Sequence, residues 1–111
     1  MLFWTPAKIA TVLTLAAITF LAAPAMAHKV NIFAYAEGDT VYTESYFPDG
    51  KTVDSGTIEV MDSSGKKILE GKTDKAGQFS FPAPRPKEDL TIVIDASMGH
   101  KNSYLLKKSE M

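Results

Sequence analysis

The chain contains two histidines, His28 and His100, five methionines and no cysteine. Imidazole is one of the few side chains that binds a transition metal or moves a proton near neutral pH. The lack of cysteine removes thiolate nucleophiles, disulfides, Cys-ligated zinc and iron–sulfur clusters from the available chemistry. His28 directly follows the small-residue run APAMA. If the chain is cut after Ala27, His28 becomes the first residue and presents a free amine and an imidazole together, a chelate for copper, nickel or cobalt. His100 would add a third nitrogen, a donor set suited to those borderline ions. If the cut falls after Ala25, His28 stands third, behind Met26 and Ala27. The amine, two deprotonated amides and the imidazole could then wrap Cu(II) or Ni(II) in a plane. Met98, two residues before His100, offers a soft thioether.

A cut at that place is expected from the N-terminal segment. MLFWTPAK carries Lys8, and IATVLTLAAITFLAA then runs from Ile9 to Ala23 without a charge. That apolar run is shorter than the roughly 20 residues a spanning helix needs. Small residues at Ala25 and Ala27 complete the pattern of a secretory signal, so residues 1–27 are read as a signal peptide. The mature chain is expected to begin at His28, to be exported to the periplasm or another extracytoplasmic space, and to have no membrane span.

The elements that must position the histidines read as strands. Val30, Ile32, Ala34 and Ala36 alternate with Phe33 and Tyr35, and Val41, Thr43, Ser45 and Phe47 share a face of TVYTESYF. Ile58 with Val60, and Leu90 with Ile92 and Ile94, repeat the period of two that marks half-buried strands. KILEGK, QFSF and SYLLKK are weaker candidates, and no long helix is expected after residue 27. EGD (37–39) and DSSG (62–65) suit hairpin turns. FPDGKTVDSG (47–56) is a longer loop, and PAPRPK (82–87) is too proline-rich for a central ladder. Seven short strands at this spacing predict an all-β sandwich of immunoglobulin or transthyretin-like type over residues 28–111. With 45% hydrophobic and 23% charged residues, disorder is not expected, and a net charge of −1 gives no electrostatic footprint for nucleic acid.

Alternating strand directions bring the histidines to one end. The first strand begins where the sixth finishes, so His28 and His100, 72 positions apart, are expected together. The loops 48–56 and 73–77 belong at that end and supply Asp49, Asp54 and Asp74 as candidate oxygen ligands. Glu44 is expected on the outer face of its strand as a solvated charge. Tyr35, Tyr42 and Tyr46 could form an aromatic strip or pack across strands.

From Thr57 to Phe81, TIEVMDSSGKKILEGKTDKAGQFSF resembles the carboxypeptidase regulatory-like, transthyretin-like module: a strand, a DxxG turn, a strand, then TDxxGxFxF. Gly65 and Gly77 can supply positive φ there, Asp74 can close an Asx turn, and Phe79 and Phe81 can enter the core. That module implies a fold and no particular function. The opening HKVNIFAYAEGDTVYTESYFPDG, this middle motif and DASMGH together resemble the extracytoplasmic accessory proteins of energy-coupling-factor nickel and cobalt transporters. The resemblance implies a non-catalytic subunit that captures a nickel or cobalt ion and hands it to a membrane-embedded transporter component. Members of that family often end in a membrane-spanning tail, whereas this sequence closes with SYLLKKSEM.

Enzyme signatures are missing: there is no HExxH, no GxSxG and no Gly-rich phosphate loop. Ser97 near His100 does not make a triad, because nothing identifies an orienting acid. Paired histidines also hold copper in monooxygenases, but a sandwich this small scarcely provides a substrate surface. Two rivals to nickel or cobalt handling stay open: a periplasmic copper carrier, and a structural or interaction module whose histidines are simply solvated. Copper outranks nickel at almost any nitrogen site, so affinity alone does not separate the metals.

Overall fold

Alternation of apolar and polar residues sets the first hairpin. In β1 (Asn31–Glu37), Ile32 and Ala34 are buried, and Phe33 and Tyr35 point outward. β2 (Thr40–Tyr46) buries Val41, Thr43 and Ser45 and exposes Tyr42 and Tyr46. Gly38, at φ 62°, turns the chain between them. These assignments come from a computed structural model that describes residues 29–111; the expected signal peptide 1–27 and His28 lie outside the described residues.

Five more strands follow: β3 (Thr57–Met61), β4 (Lys67–Lys72), β5 (Gln78–Pro82), β6 (Leu90–Asp95) and β7 (Lys101–Leu106). All pairings are antiparallel, giving a three-stranded sheet in the order β1-β2-β5 and a four-stranded sheet in the order β4-β3-β6-β7. The seven-stranded all-β sandwich expected from the sequence is present. Among the described residues the only helix is a short 3₁₀ turn, Lys108–Glu110, and no helix is long and apolar enough to cross a membrane.

The inner faces meet in one core. Ile58, Val60, Leu90, Ile92, Ile94 and Leu106 from the larger sheet face Val30, Ile32, Ala34, Val41 and Phe81 from the smaller. Each such aliphatic side chain contributes about 1.5–3 kcal/mol by leaving water. Phe81 is buried and Phe79 packs against the core from the same strand, as the motif reading expects. A Cβ on Gly71 would overlap the Phe79 ring, so this glycine lets β4 and β5 close one side of the sandwich. Buried Thr73 is fully used. Its hydroxyl donates to the Val53 carbonyl at 2.6 Å and accepts the Gly56 N–H at 2.8 Å.

The turns carry the expected chemistry. Asp74 Oδ1 accepts the N–H groups of Ala76 and Gln78, both at 2.9 Å, and Gly77 has φ 75°. Asp62 Oδ1 accepts from the Ser64 hydroxyl, the Ser64 N–H and the Lys66 N–H, and Gly65 has φ 85°.

Candidate functional site

Strand registers fix which loops share an end. Asn31 pairs with Tyr46, Glu44 with Gln78, Thr57 with both Lys72 and Asp95, and Asp95 with Lys101. The start of β1 therefore lies at the same end as the loops 47–56, 73–77 and 96–100. These loops are stitched to one another: Ser45 N–H donates to Gly77 O at 2.8 Å, and the Thr52 hydroxyl to Lys75 O at 2.8 Å.

His100 closes the β6–β7 loop. Its N–H donates to Ser97 O at 2.9 Å, and its carbonyl accepts the Ala96 N–H at 2.8 Å. Asp95 Oδ1 accepts the Ser97 N–H at 2.9 Å, so the loop is bonded internally. The ring is half-buried and meets Phe47 edge-on, with centroids 5.5 Å apart and planes at 73°. Phe47 belongs to the segment leaving β2, so the His100 ring is held by an element of the opposite sheet. Ser97, Met98 and Gly99 all have positive φ, 71°, 52° and 82°. A left-handed conformation costs a non-glycine residue roughly 1–2 kcal/mol, and such strain collects at functional loops. Its effect here is to push Met98 out to 88% exposure beside the histidine.

The neighbouring strand is tied to the same place. Asn102, two residues beyond His100, donates its side-chain amide to the carbonyl of Val30 at 2.8 Å. Val30 stands two residues beyond His28. His28 itself lies outside the described residues.

The loop carboxylates do not gather round His100. Asp49 Oδ1 accepts the Lys51 N–H at 2.9 Å, Asp54 Oδ1 accepts the Ser55 hydroxyl at 3.0 Å, and Asp74 serves its own turn. Among the described residues no three histidine, aspartate or glutamate side chains converge as a metal group would require. Proximity of loops was foreseeable from strand parity, but each aspartate turns its Oδ1 to the local turn that its own sequence encodes.

A concave feature lies on the outer face of the three-stranded sheet. A groove of about 510 Å³ is lined by Tyr35, Tyr42, Glu44, Asp74, Gln78 and Ser80, with Thr43 and Phe79 behind them. Tyr35 and Tyr42 are register partners with rings stacked at 5.4 Å and 19°, so cross-strand packing accounts for that pair. Glu44 is on the outer face as expected but is partly shielded instead of fully solvated. Gln78 of β5 lies opposite and donates Nε2 to Glu44 Oε1 at 3.4 Å. That neighbour comes from a strand 34 positions away, which local alternation could not reveal.

Among curated proteins, the chain is similar to an uncharacterized protein of Haemophilus influenzae, 33% identical over 83 residues. The alignment covers 73% of this chain and 52% of that relative, so the chain spans about half the relative's length. No family model and no solved structure matches.

Proposed function

We propose that the chain is an exported, non-enzymatic accessory subunit for nickel or cobalt uptake, in which His28, through its amine and imidazole, and His100 capture the ion and pass it to a membrane-embedded transporter component. The ion is cargo, not a resident cofactor. One observation supports the proposal: the Asn102–Val30 hydrogen bond, at 2.8 Å, joins the residue two positions after His28 to the residue two positions after His100. Two residues of extended chain span at most about 7 Å, so the proposal requires His28 to lie close to the Val30 end of this bond. A half-buried imidazole braced by Phe47 and an adjacent exposed thioether at Met98 give the ion a partly ordered set of soft and borderline donors. The resemblance of HKVNIFAYAEGDTVYTESYFPDG and DASMGH to nickel and cobalt accessory proteins supplies the transport role.

The test is a nickel and cobalt titration of protein verified by mass to begin at His28, beside a sample whose N-terminal extension moves the amine away. One-to-one binding that is lost in the extended sample and in His100→Ala supports the assignment. Equal binding in all three samples, or none in any, overturns it.

A further inference from the structure

The three-stranded sheet has an outer face of unusual composition for a solvent-facing surface. Phe33, Tyr35, Tyr42 and Tyr46 stand on it with 37–45% of their area exposed. Phe33 contacts Tyr35 at 5.8 Å and Tyr35 contacts Tyr42 at 5.4 Å, so three of the rings form a continuous aromatic surface. Exposed clusters of tyrosine and phenylalanine are the composition of protein interfaces, not of idle surface.

The strands of this sheet carry charge of one sign, the basic neighbours Lys75 and Arg85 lying in its loops. β1, β2 and β5 contain no lysine or arginine, whereas β4 and β7 of the other sheet carry Lys67, Lys72 and Lys101. On the four-stranded sheet, Glu59 and Glu70 share one lysine: Lys67 Nζ lies 2.8 Å from Glu70 and 3.6 Å from Glu59. On the three-stranded sheet, Glu44 is met only by the neutral amide of Gln78, and among the described residues it makes no ion pair. Asp74 borders the same groove. An aromatic wall beside carboxylates that make no ion pair among the described residues, Glu44 and Asp74, the latter with Oδ1 held by its own turn, is complementary to a cation with a flat or apolar body, which gains from ring faces and from charge together.

We propose that this face is a docking surface for a protein partner that presents a basic segment, seating an arginine or lysine side chain in the groove between Tyr42 and the carboxylates of Glu44 and Asp74. The aromatic surface continues past the groove to Phe33, more area than a small organic cation would use. The partner lies across the face and does not extend the sheet. The 74–77 turn occupies the backbone groups of Gln78, through Asp74 N–H to Gln78 O and Gln78 N–H to Asp74 Oδ1, both at 2.9 Å. Pro82 at the other end of β5 has no N–H to give, so the β5 edge, which borders the groove, offers too short a ladder for an added strand. This docking surface is tested separately from the metal assignment: Asp74 lies in a loop at the histidine end, but none of the groove residues is a ligand in that assignment.

The full chain, ¹⁵N-labelled, is titrated with the hexapeptide acetyl-(Arg-Ala)₃-amide and with acetyl-(Glu-Ala)₃-amide at matched ionic strength. The basic peptide is expected to shift the amide resonances of Tyr35, Tyr42, Glu44 and Gln78, and the acidic peptide to leave them unmoved. Glu44→Gln, which keeps the shape of the side chain, is expected to weaken the basic peptide about 5-fold, and Tyr42→Leu about as much. Equal response to both peptides, shifts centred on Glu59 and Glu70, or no response at millimolar peptide would each overturn the proposal. Choline binding as tightly as the peptide would assign the groove to a small cation, and binding of neutral phosphatidylcholine vesicles in place of the peptide would assign the face to a membrane; either result overturns the protein partner.

Discussion

The side-chain amide of Asn102 donates to the carbonyl of Val30 at 2.8 Å, joining residues 72 positions apart in the chain. Val30 is fully buried and precedes the first ladder pair of β1, so its carbonyl has no strand partner of its own. Asn102 pairs with Ile94 on the inner side of β7, which aims its amide across the gap between the sheets. The bond therefore clamps the beginning of the described chain to the strand that follows His100.

Removing the donor should loosen that clamp. Asn102→Ala leaves a buried carbonyl unpaired and is expected to cost about 1 kcal/mol. Asn102→Asp keeps the size but has no donor when ionised, and should cost at least as much at pH 7. Both should lower the urea midpoint without changing the slope of the transition. Both should also weaken nickel binding in the protein beginning at His28, whereas an unchanged affinity would separate the clamp from the metal site.

Protons should compete with the ion. An ordinary imidazole loses its proton near pH 6.5 and an α-amine near 7.7–8.0, and both must be deprotonated to coordinate. Nickel affinity, followed by calorimetry, is expected to fall steeply from about pH 8 to about pH 6. A flat profile over that span would point to carboxylate ligands in place of the amine and imidazole.

Two glycines should be intolerant for different reasons. Gly77→Ala forces a side chain into φ 75° and against the carbonyl of Ser45, a backbone atom that cannot step aside. The left-handed strain and the overlap together should cost about 3 kcal/mol or more. Gly71→Ala meets the ring of Phe79, which can shift, and should cost about 1–3 kcal/mol. The double variant Gly71→Ala, Phe79→Leu is expected to recover part of that loss, as thermal unfolding would show.

The β3–β4 turn should carry a pH signature. The Ser64 hydroxyl, then the Lys66 and Ser64 N–H groups, hold the Asp62 carboxyl below its ordinary value of 3.8. A depressed folded value means that the contribution to stability is present above the unfolded pKa and is lost as pH falls through the folded one. Asp62→Ala should therefore have a lower urea midpoint than the parent at pH 7. The gap should narrow as pH drops below about 4, the ordinary carboxyl range. A gap that stays constant to pH 2 would mean the carboxylate's charge plays no part.

Strand positions and their inner faces were legible in the residues themselves. Val30, Ile32 and Ala34, or Leu90, Ile92 and Ile94, announce a buried face because side chains alternate across a pleated strand whatever the strand pairs with. The turn chemistry was equally local: Asp74 and Asp62 reach N–H groups two and four residues ahead, a distance set by covalent geometry. Even the shared end of the loops followed from counting strand directions.

Tertiary structure decided everything that depends on which strands become neighbours. The order β1-β2-β5 against β4-β3-β6-β7 sets Gln78 opposite Glu44 and gathers aromatics and unpaired acid on one face with no basic residue in its strands. The same packing leans Phe47 on His100 and aims Asn102 at Val30. Alternation states only that a residue faces in or out. Which partner it meets is chosen by the joint burial of two whole faces, a cooperative outcome that no short stretch of sequence contains.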